Sequence, residues 1–424
     1  MLKKFDIFRV NYVLFFFSLF KALTFFVPLL LINILTPLEY VIFESGLAIS
    51  NIAVIALNFG VSAAVPLYLL KENKKEDIKY IYFHCVVVSS AMLCIALFSE
   101  LYIHSEKLTF ICISVSILCN VRVISSHKKA LSEPIKASFY EAYLFIALFI
   151  CVLFSKAFDV LSFTHINVIL FFASLLLIVF ASSELVGEKA EKLCFNPSKL
   201  FTLYSFSSLA LIVSVVVVFF VTFIRVLGEG FVTIDQYLTY SVYFRLASVA
   251  IIVFQFVLTL KFKDIYDSEQ GNLDKSCILI LSSVLIIALS IYVSNDIILP
   301  LFFSLEVQDI INNNSEVVLP IVLTMPLWAA IAVLENIISR ERAFKLMLLY
   351  VSFASILFFS FCLLAYLYGE LSFVRIVYLH IVLLCLLVIS QLLALYKLDI
   401  KLTRILSFTL TFLVLGVFGA SISS

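Results

Sequence analysis

Four of the 29 basic residues in this 424-residue chain, Lys21, Arg122, Arg225 and Arg245, fall within or at the ends of long apolar stretches. A charge in hydrocarbon is costly, and it is retained where it faces protein or a water-filled cavity. Arg245 belongs to a row formed by Ser241, Arg245, Ser248, Gln255 and Thr259, with steps of 4, 3, 7 and 4. Those steps hold one face of a helix. Counted from Gln236, Arg245 lies roughly 13 Å below the edge of its span at 1.5 Å per residue. A second row is Glu44, Asn51 and Asn58, each seven apart and extended by Ser62, and Lys21 with Thr24 begins a third. Guanidinium takes phosphate in a bidentate fork, and amides and hydroxyls bond sugar hydroxyls. A cavity lined by Lys21, Asn51, Asn58, Arg245, Ser248 and Gln255 therefore suits an anionic, polyhydroxylated cargo.

Other charged residues read as gates or ion pairs. Arg122 and Arg225 lie near estimated span ends, where long side chains snorkel to the headgroups. Glu141 and Glu335 stand near inner span ends, as salt bridges or gate residues. Two bland readings compete: Asn51 and Asn58 as glue between helices, and Arg245 as the structural partner of Glu44. A cation exporter would place acids at mid-membrane, whereas the deep ionisable groups here are chiefly basic. No H-E-x-x-H, C-x-x-C or nucleophile–base pattern occurs, so neither a metal site nor covalent catalysis is expected, and the scattered cysteines read as small packing residues.

The elements that must hold these residues are membrane spans. The chain is 63% hydrophobic and 13% charged, with a mean hydropathy of +1.16, far outside the soluble range. A span needs about 20 apolar residues, and the chain parses into twelve: 12–35, 40–70, 80–103, 108–126, 137–155, 161–185, 200–226, 236–260, 276–303, 316–338, 346–368 and 375–396. A thirteenth apolar run, 405–422, either spans or lies at the interface. Every second connector is basic. Together with the N-terminal Lys3, Lys4 and Arg9, these connectors hold 22 of the 29 Lys and Arg, while the intervening ones hold Lys107, Lys156 and Arg375. Cytoplasmic loops retain Lys and Arg, so the N-terminus is expected inside, ahead of an uncleaved first helix. Net charge is +1, which implies no nucleic-acid surface, and no loop reaches the size of a soluble catalytic domain.

The basic connector 187–199 divides the spans into six plus six: an N-terminal lobe at 1–186, a C-terminal lobe at 200–396, and a basic segment plus the extra run at 397–424. Each lobe opens with two long spans joined by a short turn. The turns read Leu35-Thr36-Pro37-Leu38-Glu39-Tyr40 and Gly230-Phe231-Val232-Thr233-Ile234-Asp235-Gln236-Tyr237, each with an acid just ahead of a Tyr. Transporter folds are commonly built from such repeats.

Pro37-Leu38-Glu39-Tyr40, the long second span reaching Asn58-Phe59-Gly60, Arg225 closing the seventh span, Tyr237 opening the eighth, and Glu335-Asn336 ending the tenth resemble the O-antigen and polysaccharide flippases of the MATE-like exporter superfamily. The resemblance covers about residues 8–396 and departs from the family at Val41, where a Gly often follows the Glu-Tyr pair. It implies an all-α protein of two six-helix lobes around a central cavity. By alternating access it would carry an undecaprenyl-diphosphate-linked oligosaccharide repeat unit across the bacterial plasma (inner) membrane for lipopolysaccharide or other surface polysaccharide. Cofactors are not expected; H+ or Na+ would be the coupling ion. A polysaccharide polymerase and chain-length proteins would be partners, alongside membrane lipid. The alternatives are a MATE-type small-molecule or cation antiporter and a membrane oligosaccharide polymerase. The polymerase typically needs a long outer loop with catalytic residues, which this chain lacks.

Overall fold

The computed structural model describes residues 2–59, 65, 69, 78–131, 133–158, 162–186, 209, 211–252, 254, 270–341, 343–367 and 372–422. Among them the regular elements are helical and no strand occurs. Ten helices are long and apolar enough to cross a membrane, or eleven if one bent pair is a single span. The chain is thus an all-α polytopic membrane protein. Two expected spans fall short of that length among the described residues. The eighth forms the helix Ile234–Ala247, and the eleventh contributes the shorter apolar stretch Phe344–Ser360. The structure divides into two compact units, Met1–Val215 and Val216–Ser424. The connector 187–199 lies outside the described residues.

The first unit contains α1 (Leu2–Leu31), α2 (Pro37–Leu57), α3 (Ile78–Phe98, prolonged by a π-helical turn to Ile103), α4 (Glu106–Ala130), α5 (Pro134–Phe158) and α6 (Phe163–Val186). Local chemistry sets the helix starts. Thr36 caps α2 by accepting the Glu39 N–H at 3.3 Å, while the Glu39 carboxylate takes the Thr36 N–H at 2.9 Å. This reciprocal box satisfies two donors that a helix start leaves open. Pro37 adds a preset φ where no N–H is needed.

The axis of the unit is α4, which packs on α2, α3, α5 and α6. Hydroxyls knit it to its neighbours. Ser89 and Ser116 each donate to the other's carbonyl at 3.0 Å, Ser116 meets Ser174 of α6 at 2.7 Å, and Asn120 donates to Ser89 at 2.8 Å. Such bonds need close backbone approach, which small residues permit.

The second unit begins inside α7 (Leu211–Val221), which is bent by 76° against the following segment Phe223–Gly230. That segment is α8 (Phe223–Leu227) plus a 3-10 turn. Then come α9 (Ile234–Ala247), α10 (Gln270–Val293), α11 (Asn295–Phe302), α12 (Leu305–Asn313), α13 (Val318–Glu341), α14 (Phe344–Leu367), α15 (Phe373–Tyr396) and α16 (Thr403–Ile422). Here α13 is the axis, packing on α9, α10, α14, α15 and α16. A second capping box, Thr233 with Gln236, starts α9.

Two expectations change. The ninth span does not run on to 303: α10 ends at Val293, and two short helices come after it. The run 405–422, left open by the sequence, forms α16 and packs antiparallel along α15. After α15 the chain turns through Asp399 at φ 62, with the Ile400 N–H on Leu395 O at 3.1 Å. At the start of α16, the buried Asp274 carboxylate of α10 takes the N–H groups of Arg404 at 3.1 Å and Ile405 at 3.3 Å. At its far end, Arg375 Nε donates to Ala420 O at 3.1 Å. An anion at the N-terminus and a cation at the C-terminus both suit the helix dipole. Between them Gly419 lets the backbone approach Tyr378, because a Cβ there would stand 2.2 Å from the ring.

Gly419→Val should therefore force α16 off α15 and lower the unfolding temperature in detergent micelles. Asp274→Ala should cost about 0.5–2 kcal/mol, the range for a lost helix cap, and Asp274→Asn less. A Gly419→Val protein that melts with the wild type would mean that α16 does not pack on Tyr378.

Candidate functional site

In the first unit, Lys21 of α1 donates to Glu141 Oε2 of α5 at 3.0 Å, and Lys129, in the last turn of α4, lies 2.5 Å from Glu141 Oε1. One carboxylate thus bridges two ammonium groups from two other helices. Lys21 Nζ also sits 5.6 Å from the Phe17 ring centroid, a cation–π contact. Arg122 lies seven residues before Lys129, on the same face of α4. Because α4 runs on to Ala130, Arg122 is two turns inside the helix rather than at its end. Its Nη2 donates to Asn51 Oδ1 at 3.2 Å and Asn51 O at 3.5 Å, and Asn51 Nδ2 donates to Leu47 O at 3.0 Å. A guanidinium held by a neutral amide keeps its positive charge uncancelled by that partner.

Asn58 goes elsewhere. It ends α2, and its side chain is buried against α3 and α4. Nδ2 donates to Cys119 O at 3.5 Å, and the Cys85 and Cys119 thiols donate to its Oδ1. Glu44 is fully buried, one turn below Tyr40, whose hydroxyl donates to its Oε1 at 3.3 Å. Just ahead of α5, half-exposed Glu133 is bonded by the ammonium of Lys136 in the first turn of that helix, which holds the carboxyl below the usual range.

In the second unit two of the buried cations, Arg225 and Arg245, stand at interruptions of the spans. Arg225 lies just beyond the 76° break near Thr222. The two sides of that break are held by side chains. His380 of α15 donates Nε2–H to Phe220 O at 2.9 Å, and Tyr237 of α9 donates to Arg225 O at 2.7 Å. Since a carbonyl only accepts, the first bond fixes the His380 tautomer. The Arg225 guanidinium lies 5.0 Å from the Phe244 ring centroid, and Phe244 stacks on Trp328 of α13 at 5.5 Å. Arg245, the next residue on α9, is buried. Two residues later α9 ends, and the Ser248 hydroxyl donates to Arg245 O at 2.8 Å.

The structure thus joins Lys21 to Glu141 and Asn51 to Arg122, keeps Asn58 apart from both, and sets Ser248 against Arg245. Gln255 lies outside the described residues. Glu335 is half-buried on α13, where Arg340 pairs with Glu341 at 2.7 Å. Sequence reasoning missed Lys129, His380 and both breaks, and took Tyr237 only as the start of the eighth span. The breaks carry no proline; hydroxyls returning to the preceding turn mark them, as with Thr222 Oγ1 on Val218 O at 2.7 Å. That signal is faint in sequence, because most such hydroxyls leave a helix only slightly bent. Among the described residues no three His, Cys, Asp or Glu side chains converge as a metal ion would require.

No family model matches this chain, and no curated protein or solved structure matches it either.

Removing the bridging carboxylate should be destabilising. Glu141→Gln leaves Lys21 and Lys129 facing each other. Breaking one side of a fully buried pair costs about 3–5 kcal/mol, and this partly exposed site should lose less. Adding Lys21→Met should recover part of the loss. Thermal unfolding of the two single variants and the double variant gives the coupling, and strict additivity would mean that no pair exists.

Proposed function

We propose that this protein is a flippase. It carries an anionic, lipid-linked oligosaccharide, of the undecaprenyl-diphosphate kind, across the bacterial plasma membrane by alternating access, without covalent chemistry. The observation that carries this reading is the placement of Arg225 and Arg245. Both guanidiniums are buried, and each lies beside an interruption in a span. Interrupted helices are where transporters bind cargo, because unwound backbone and charged side chains survive there only against protein or a polar cavity. Arg122 on Asn51 offers a similar combination of cation and amide in the first unit. The diphosphate would meet cations and the sugars would meet amides and hydroxyls. The basic connectors support an N-terminus in the cytoplasm.

One observation favours a second reading, a cation antiporter of similar architecture. Glu44 is a fully buried carboxylate bonded by Tyr40, which is the kind of group that takes up H+ or Na+. The two readings separate at single residues. In inside-out vesicles, Arg245→Ala should stop movement of lipid-linked oligosaccharide to the far leaflet while inserting normally. Arg245→Lys should keep part of the rate, since charge remains and fork geometry is lost. Transport at the wild-type rate by a well-expressed Arg245→Ala variant would remove Arg245 from the site. Rescue of that variant by Glu44→Gln would instead make the two residues a structural pair.

Orientation has its own check. A single cysteine at position 136 should resist an impermeant maleimide added outside intact cells, and one at position 107 should react. The opposite pattern would invert the topology.

A further inference from the structure

We propose that α11 and α12 form an interfacial foot, a pair of short helices lying in the headgroup region of the leaflet opposite the basic connectors. The apolar ridge of α11 is sunk into lipid, and the acids of the pair face water. The proposal rests on the membrane fold alone and is independent of the flippase reading.

The first consideration is length. α10 runs from Gln270 to Val293; counted from Ser276, past the charged Asp274 and Lys275, it covers about 27 Å at 1.5 Å per residue, close to the roughly 30 Å of the hydrocarbon core. Val293 is therefore already at the edge of the core, and the chain beyond it must leave the core. Residues 294–305 are nonetheless not a polar loop. Leu279, Ile286 and Val293, seven apart, form an exposed row on α10, its lipid-facing side. At Ser294 helical bonding persists, with Ser294 N–H on Ser290 O and Ile298 N–H on Ser294 O. The row then continues in steps of four. Val293, Ile297 and Leu301 are 79, 68 and 72% exposed. Three large aliphatics along one helical face, left bare at the membrane edge, continue a surface that is already lipid-facing. Lipid is thus the occupant that needs no new partner.

The other faces are accounted for. Val307 and Ile311 of α12 are buried, and α12 packs on α9. Tyr243 of α9 donates to Asn295 Oδ1 at 2.5 Å, fixing the start of α11. The acids Asp296, Glu306, Asp309 and Glu316 lie in 294–317, with no Lys or Arg. Amphipathic surface helices usually carry Lys and Arg that draw them to anionic lipid. This pair has none, so apolar burial must hold it, to a depth of about 5–10 Å.

The chain's only tryptophan is Trp328, which makes a single-tryptophan test direct. In the Trp328→Phe protein, Leu301→Trp, Ile297→Trp and Asp309→Trp are made separately. Each is reconstituted in phosphatidylcholine vesicles holding lipids brominated near the headgroup or near the chain ends. The substituted positions are exposed, so folding should tolerate them, and cooperative thermal unfolding of each variant checks this. The variants at 297 and 301 should emit to the blue of the variant at 309, with shallow bromines quenching them more than deep ones. The variant at 309 should emit as in water and escape quenching. Water-like emission at 297 and 301 would overturn the proposal. So would blue emission that neither lipid quenches, which would mean that protein covers the ridge. Stronger quenching by deep bromines would overturn it as well, because the segment would then continue the span.

Discussion

Hydrocarbon offers no hydrogen-bond partner, and that single constraint organises both units. Each polar group that the chain carries into a span must be met by another group of the protein. The most enclosed helices are accordingly the ones with polar seams. In the first unit, α4 brings Ser116, Asn120 and Arg122 to Ser89, Ser174 and Asn51. In the second, α13 lends Ile331 O to Gln391 of α15 at 3.2 Å. Each bond is worth little in itself, since alternative partners exist before the helices assemble. Left unmade in lipid, it would cost several kcal/mol. The seams therefore fix which helix lies against which more than they set stability.

The same constraint explains why the spans were legible and their partners were not. Unbroken apolar runs placed most helices within a few residues, because transfer energies act residue by residue, although α1 starts ten residues earlier than expected. The likeness between the two turns also has a cause. Thr36 with Glu39 and Thr233 with Gln236 are both capping boxes, and in each a buried tyrosine comes next. The acid shared by the turns is incidental, since Asp235 is not the capping residue in the second. The ninth span was overextended because Ile297, Ile298 and Leu299 raise local hydropathy just as a span would. The helix itself ends at Val293, and a separate one starts at Asn295.

The polar rows were harder, for a geometric reason. Equal spacing on a helix names a face, but two turns along that face the neighbour can change. Asn51 and Asn58 are seven apart, yet Arg122 of α4 holds the first and two thiols from α3 and α4 hold the second. Glu141 and Lys21 are 120 positions apart, a separation across which no periodicity carries information. Lys129 looked like one more cytoplasmic lysine until the end of α4 brought it to Glu141. The row through Arg245 crosses the end of α9 at Ser248, and its last members, Gln255 and Thr259, lie outside the described residues.

These breaks give the buried arginines a physical setting. An intact span returns its carbonyls to its own N–H groups and has none to spare. At an interruption those groups are released and must be claimed, here by His380 on Phe220 O, Tyr237 on Arg225 O and Ser248 on Arg245 O. The polar side chains needed to claim them raise the local polarity, and that lowers the cost of a neighbouring guanidinium. Phe244 and Trp328 then supply a ring face toward which Arg225 can turn its charge without water. Interruption and cation are thus mutually supporting: an arginine at mid-helix in an unbroken apolar span would have only lipid or a single counter-ion to meet. A ring face supports a cation through its quadrupole and adds no charge of its own, so the Phe244 ring eases the burial of Arg225 whatever else the guanidinium meets.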